Sequence, residues 1–315
     1  MDEALFGRLA ARLADTDVVL ASVLSTRGAT PRKRGARMLI GPNWSEFSIG
    51  GGLAEARVLL AARALLERQD QAELQQIDLT GGSGSAGVCG GSMLLALRRW
   101  STSGDGPNTA RAAQIAAALS NGRSVELSGD DVGDASGAGV IHANARLLIV
   151  GGGHCGAALC ELAKSLDFDL WLFDPRPEFA QALQFPGARA LSGDFAQLRL
   201  ALETSRDIYA VLLNRDFHSD VNTLRVLAGA PFAFLGMMGS RKRIAAVRAE
   251  LSAEDAQSLA VLQAPVGMEI GAQTPHEIAI SVLAHLIQTR ALRDGIQGKI
   301  KGSTQSREDR KDAQR

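Results

Sequence analysis

Leu147-Leu148-Ile149-Val150-Gly151-Gly152-Gly153-His154-Cys155-Gly156 is an apolar run delivered into a Gly-x-Gly-x-x-Gly turn, almost halfway along a chain of 315 residues. In such a turn the first glycine permits a tight strand-to-helix bend, the second lets backbone approach a ligand phosphate, and the third lets helix and strand pack closely. The helix that follows offers unpaired N–H groups to an anion. Leu159, Leu162, Ala163 and Leu166 then recur at helical spacing, and Asp169-Leu170-Trp171-Leu172-Phe173-Asp174 reads as a second strand ending in an acid. Asp174 lies about twenty residues beyond the glycines, where a ribose-binding carboxylate would sit. The pattern predicts a Rossmann-type unit; the plainer alternative is a glycine turn that packs and binds nothing.

Working outward, strand and helix patterns alternate from Arg146 onward. Segments 208–213, 221–227, 232–235 and 241–251 follow in the order that a parallel, doubly wound sheet requires. Thr274-Pro275-His276-Glu277 is a capping box with proline at the first helical position, opening a final helix through Ile278, Val282 and Leu286. After Leu292 the chain turns polar and charged, so residues 293–315 are expected to form a disordered tail. Upstream, 6–13 and 53–68 read as helices and 17–24, 37–40 and 92–97 as strands. Turn-forming residues cluster at 101–108 and 129–139, around a helix at 109–120 and a short strand at 124–127. The expected class is α/β: an N-terminal α/β domain over 1–104, a connecting segment over 105–145, and a Rossmann-type doubly wound parallel-sheet domain over 146–292.

The 46% apolar content supports two sizeable cores. Thirty-four basic and 34 acidic side chains cancel, so no global field favours nucleic acid or a membrane surface. Met1-Asp2-Glu3-Ala4 carries acids where a signal peptide needs cations, and no apolar stretch is long enough to span a bilayer, which leads us to expect a cytoplasmic protein. Three cysteines, Cys89, Cys155 and Cys160, are an odd and sparse set that argues for reduced thiols rather than a disulfide framework. No Ser/His/Asp set, His-Glu-x-x-His or Walker loop is legible, so nothing points to a self-contained catalyst.

Ser48-Ile49-Gly50-Gly51-Gly52 is a second glycine loop that opens a helix, and makes a second anion-binding helix start or a plain tight turn. Glu55, one turn in, either accepts hydrogen bonds from a polar ligand or favours the helix dipole. Cys89, followed by Gly90 and Gly91, offers a thiolate beside bare backbone; taken alone, a buried small hydrophobe is the commoner role. Cys155 and Cys160 read as packing residues. Arg27, Arg32, Lys33, Arg34 and Arg37 form a basic run that is either a solvated face or a grip for phosphate or an acidic surface. Ser240-Arg241-Lys242-Arg243 places a serine cap and three cations at a helix start directly after a strand, where open α/β sheets collect ligands. His154, inside the glycine turn, contacts a ligand or is an exposed turn histidine.

Taken together, several blocks resemble the xanthine dehydrogenase accessory protein family, XdhC. In the first half these are Gly28-Ala29-Thr30-Pro31-Arg32 with Gly35-Ala36-Arg37-Met38, Ile49-Gly50-Gly51-Gly52 with Glu55, and Cys89-Gly90-Gly91. In the second they are Gly151 to Gly156, Asp174-Pro175-Arg176-Pro177, Gly239-Ser240-Arg241-Lys242, and Ala264-Pro265-Val266-Gly267 with Ile270-Gly271-Ala272-Gln273-Thr274-Pro275. Where relatives often carry Thr-His-Asp this chain has Asn214-Arg215-Asp216, with His218 nearby, and His285 stands where an acid is common. The resemblance implies a dimeric chaperone that holds the molybdenum cofactor as cargo, shields it from oxidation, supports its sulfuration with a cysteine desulfurase and inserts it into apo xanthine dehydrogenase. The cofactor-binding set it implies is Cys89, the best metal or sulfur contact, with Gly50, Gly51, Gly52, Glu55, Gly90, Gly91, Gly151, Gly153, His154, Gly156, Asp174, Ser240 and Arg241. The rival reading is an NAD(P)-dependent oxidoreductase with a nucleotide in the Rossmann cleft, and a third is a scaffold that only docks the desulfurase to its target.

Overall fold

A computed structural model of the chain describes residues 2–102 and 107–293. The expected tail from 294 onward, and residues 103–106 of the polar stretch, lie outside them. The chain divides into two compact units, one ending at Asn144 and the other beginning at Ala145.

The first unit contains α1 (Asp2–Arg12), β1 (Val18–Arg27), β2 (Arg37–Ile40), β3 (Ser45–Phe47), α2 (Gly52–Arg68), β4 (Ala72–Asp78), β5 (Ser92–Trp100), α3 (Pro107–Ser120), β6 (Val125–Leu127), α4 (Gly129–Val132) and β7 (Gly139–Ile141). Five strands form one antiparallel sheet in the order β3-β2-β1-β5-β4, and β6 and β7 form a separate ribbon. Successive side chains of a strand point to opposite faces. Val19, Ala21 and Val23 of β1 therefore join Val58, Ala62 and Leu65 of α2, while Val18, Leu20 and Leu24 join Leu5 and Phe6 of α1 and Ile115 and Leu119 of α3. Burial on both faces is why the first seven residues of β1 are apolar except for Ser22. Segment 105–145, expected as a connection, supplies part of this second face: α3, Leu127, Val132 and Ile141 share its core.

The second unit contains β8 (Arg146–Val150), α5 (His154–Ala163), β9 (Asp169–Asp174), β10 (Arg189–Ser192), α6 (Leu198–Leu202), β11 (Ile208–Leu212), α7 (Phe217–Leu227), β12 (Phe232–Met237), α8 (Arg241–Ala249), α9 (Ala253–Ser258), β13 (Leu262–Gln263) and α10 (Pro275–Arg293). Its sheet is wholly parallel, in the order β10-β9-β8-β11-β12-β13. Counted within the unit this is 3-2-1-4-5-6, the doubly wound dinucleotide-fold order, with its switch point between β8 and β11. Leu147 and Ile149 pack towards α5 and α10, and Leu148 and Val150 towards α6, α7 and α8. Each such buried side chain contributes about 1.5–3 kcal/mol. The capping box of α10 forms as expected: Thr274 Oγ1 accepts from the Glu277 N–H (3.3 Å) and Glu277 Oε2 accepts from the Thr274 N–H (2.9 Å).

Candidate functional site

The turn from β8 into α5 sits at the carboxyl ends of the strands, beside the switch point. A Cβ on Gly156 would overlap the Gly151 carbonyl, so this glycine gives the close helix-to-strand approach. Gly153 is the N-cap of α5 without a side-chain cap, and a Cβ there would meet nothing within 4 Å. Gly152 is closed off, because its Cβ would overlap the Phe179 carbonyl oxygen.

Asp174 is 1% exposed, and its carboxylate is engaged by the protein. Oδ2 accepts from the Gly152 N–H (2.9 Å) and Arg176 Nη2 (2.9 Å), and Oδ1 from the Arg176 N–H (3.0 Å) and Nε (2.9 Å). Burial pushes this carboxyl up, but the hydrogen bonds from Arg176 and Gly152 outweigh it and hold Asp174 below its ordinary range. A carboxylate has about four lone-pair sites, and all are taken. The acid expected to meet a ribose instead ties the glycine turn to Arg176, whose guanidinium lies 4.0 Å from the centre of the Phe179 ring. Exposed His154 faces Arg215, with Nδ1 3.2 Å from Nη2; the guanidinium can only donate, so Nδ1 accepts. Gly151, Gly153, His154, Arg176, Phe179 and Arg215 line a cavity of about 100 Å3, well under the space a dinucleotide occupies.

In the first unit, Gly50, Gly51 and Gly52 have φ of +132°, +77° and +64°, three consecutive conformations that side chains rarely adopt. The N–H groups of Gly50 and Gly51 turn inward. Glu55 Oε2 accepts from Ser48 Oγ (2.7 Å), the Gly51 N–H (3.0 Å) and the Ile49 N–H (3.3 Å), and Ser48 Oγ accepts from the Gly50 N–H (3.0 Å). Glu55 is thus a local acceptor that organises its own loop.

Loop 28–32 joins this glycine loop to Cys89. A Cβ on Gly50 would lie 2.5 Å from Pro31 Cγ, one on Gly28 would lie 2.7 Å from the Gly90 carbonyl oxygen, and one on Gly91 would overlap the Arg27 and Ala29 carbonyls. Three separate sequence blocks therefore meet at one end of the sheet. Cys89 is exposed, which sets aside the alternative of a buried small hydrophobe. Its loop is ordered by backbone bonds from Leu79 to Gly91 (2.9 Å) and from Gly90 to Leu79 (2.8 Å), and by Arg57 Nη2 donating to the Gly84 carbonyl (2.6 Å). Among the described residues, no group of three or more His, Cys, Asp or Glu is placed to hold a metal ion. Cys155 is half-buried and Cys160 buried, as packing residues should be, and burial pushes both thiols up.

Ser240 caps α8, accepting from the Arg243 N–H (3.3 Å), and Arg241 is exposed at its first turn. Arg243 turns the other way. Its Nε donates to Asp220 (2.8 Å), Nη1 to the Arg215 carbonyl (2.9 Å), and Nη2 to the carbonyls of Asn214 and Asp216 (both 2.9 Å). Asn214 Nδ2 also reaches Asp220 (3.1 Å), which is wholly buried. This clamp shapes the loop that carries Arg215, and sequence reasoning missed it. The available signal was an acid at position 220, three and four residues from the apolar Phe217 and Leu224. His285 is likewise structural: Nδ1 accepts from the Gly267 N–H (3.2 Å), and burial lowers its pKa, favouring the neutral ring.

Comparison with known proteins covers both units. Residues 147–286 match the XdhC Rossmann domain, and residues 11–78 match the XdhC and CoxI family. Protein YqeB of Escherichia coli (strain K12) is 28% identical over 277 residues, 86% of this chain and 43% of that protein. A protein of Bacillus subtilis (strain 168) described as a probable xanthine dehydrogenase component is 31% identical over 146 residues, 46% of this chain and 43% of that protein. The chain thus spans less than half the length of these curated relatives. A crystal structure described as a xanthine dehydrogenase from Bacillus halodurans shares the fold, with a TM-score of 0.77 at 23% identity, covering 95% of this chain and 98% of that one. With both family domains present in order along the sequence, the chain belongs to the XdhC and CoxI family.

Proposed function

We propose that the chain is a molybdenum-cofactor chaperone for a xanthine dehydrogenase. It holds the cofactor as cargo, protects it from oxidation, supports exchange of an oxo for a sulfido ligand with a cysteine desulfurase, and delivers it to the apo form of the molybdenum-bearing polypeptide. The observation that carries this reading is Cys89: an exposed thiol on a hydrogen-bonded loop, packed through Gly90 and Gly91 against loop 28–32. A soft thiolate suits a soft, sulfur-rich metal centre. The donor set fits a cargo that brings its own dithiolene sulfurs, since one protein thiolate is then enough. The name of the Bacillus subtilis relative points to the same client enzyme.

The oxidoreductase alternative draws on Asp174 and the Gly-x-Gly-x-x-Gly turn; the four internal donors to Asp174 leave that acid no lone pair for a ribose. The test is anaerobic purification of the parent protein and of Cys89→Ala, with molybdenum content and activation of apo xanthine dehydrogenase as readouts. The expected result is a roughly tenfold or greater loss of cofactor retention in the variant, about 1.4 kcal/mol. Equal retention by both proteins overturns the Cys89 assignment. Tight NAD or NADP binding with no molybdenum in the parent protein overturns the chaperone reading, and sedimentation as a monomer overturns the expected homodimer.

A further inference from the structure

Residues 31–37, with four of the five cations of the basic run, line a cavity in which Cys89 takes no part. It measures about 650 Å3, within the range of small-molecule sites, and lies wholly in the first unit. Arg32, Lys33, Arg34 and Arg37 line it against a single acid, Asp2. Lys33 and Arg34 are exposed, and each makes a neutral hydrogen bond, to Thr30 Oγ1 (3.3 Å) and to the Ser136 carbonyl (3.0 Å), which leaves its charge uncompensated by those contacts.

Below them lie two polar side chains with unused donors. Ser22 and Arg37 are direct cross-strand partners of β1 and β2, so they point to the same face, and both line the cavity. Ser22 is 2% exposed and its Oγ has no partner among the described residues. Arg37 is 7% exposed; Nη1 donates to Asp2 (2.7 Å) and to the Gly35 carbonyl (3.3 Å), while Nε is buried without a partner. Both atoms lie beneath the cavity surface, so the floor under the exposed cations is polar as well as basic. The remaining wall is apolar: Leu24, Val132, Val140 and Ile141.

We propose that this cavity binds a phosphate monoester carried on a partly apolar organic body. The phosphate oxygens accept from Lys33 and Arg34 at the mouth, the Arg37 guanidinium adds positive charge beneath them, and the organic part lies on the apolar wall. The volume exceeds what bare phosphate fills. Two sources share this chemistry: a free nucleotide-like metabolite, and the phosphate end of the proposed cargo. The proposal stands apart from the chaperone reading, because it requires only the phosphate and its organic body.

Calorimetric titration of the full chain with guanosine monophosphate, guanosine and inorganic phosphate tests it. The monophosphate should bind roughly tenfold tighter than either fragment, weaken with salt, and weaken a further tenfold or so in the Lys33→Glu, Arg34→Glu double variant. No binding of any probe at millimolar concentration, or equal binding by the parent and the double variant, overturns the proposal. Once guanosine monophosphate binds as expected, competition with purified molybdenum cofactor assigns the phosphate to the cargo, and simultaneous binding assigns it to a free metabolite.

Discussion

The two glycine loops look alike in sequence and differ in what closes them. Gly50 to Gly52 are answered from within their own helix, where Glu55 gathers two backbone N–H groups and the Ser48 hydroxyl. The turn from Gly151 to Gly156 is answered from the next strand, where Asp174 takes the Gly152 N–H and Arg176. Each loop already holds a carboxylate, so a glycine motif at a helix start does not by itself offer a vacant anion site. The difference lies in open backbone: in the second loop Gly152 and Gly156 are sealed by carbonyl groups and Gly153 faces space, whereas Gly51 and Gly52 both face space.

Substitutions can break this comparison, starting with the largest effect. Gly152→Ala forces a methyl onto the Phe179 carbonyl and should destabilise the second unit by about 3 kcal/mol in urea unfolding. A parent-like midpoint would show that Phe179 does not seal the turn. Asp174→Asn should cost about 2 kcal/mol, because it removes charge-assisted bonds to Arg176. The sign with pH follows from its lowered pKa. The stabilisation is complete above the ordinary aspartate range and is lost as pH falls through the depressed value, so the gap between parent and variant should close in acid.

Glu46 provides a control away from both loops. Hydrogen bonds from Arg8 and Arg12 lower it from 4.5 to about 2, so its contribution should fade between those pH values, and Glu46→Gln should flatten that part of the acid-unfolding curve of the first unit. Glu55→Gln keeps an acceptor but loses the charge near the helix N-terminus, a cost of about 0.5–1 kcal/mol. Smallest of all, Gly153→Ala should change stability by less than about 0.5 kcal/mol, since the added methyl meets open space at an ordinary φ of −67°. A large loss there would mean that the turn has no open backbone at all.

Much of the second unit was legible because its buried strands are apolar runs between glycines and caps, as at β8 and β9. Strand β13 escaped because two residues carry no period, and β10 because its ends are exposed. In the first unit β4, Ala-Glu-Leu-Gln-Gln-Ile-Asp, is an edge strand with one buried residue, so no apolar alternation marks it. The site residues were legible as residue types but not as partners. The Gly50 loop, loop 28–32 and Cys89 are brought together by strand pairing, which one sequence does not display. Arg243 read as a ligand-facing cation, yet it is turned to the buried Asp220, 23 positions away.

Helices α1 and α3 come from opposite ends of the first unit and cover one face of its sheet. For gene architecture this sets the smallest transferable piece. A fusion cut near residue 104 would carry all five strands of the sheet but leave Leu5, Phe6 and Trp100 without Ile115 and Leu119 above them. An exposed apolar face of that kind favours aggregation. Recombination or engineered fusion that moves this unit intact has to break the gene at the codons around Asn144, after the β6–β7 ribbon, and not at the polar stretch that first looks like a seam.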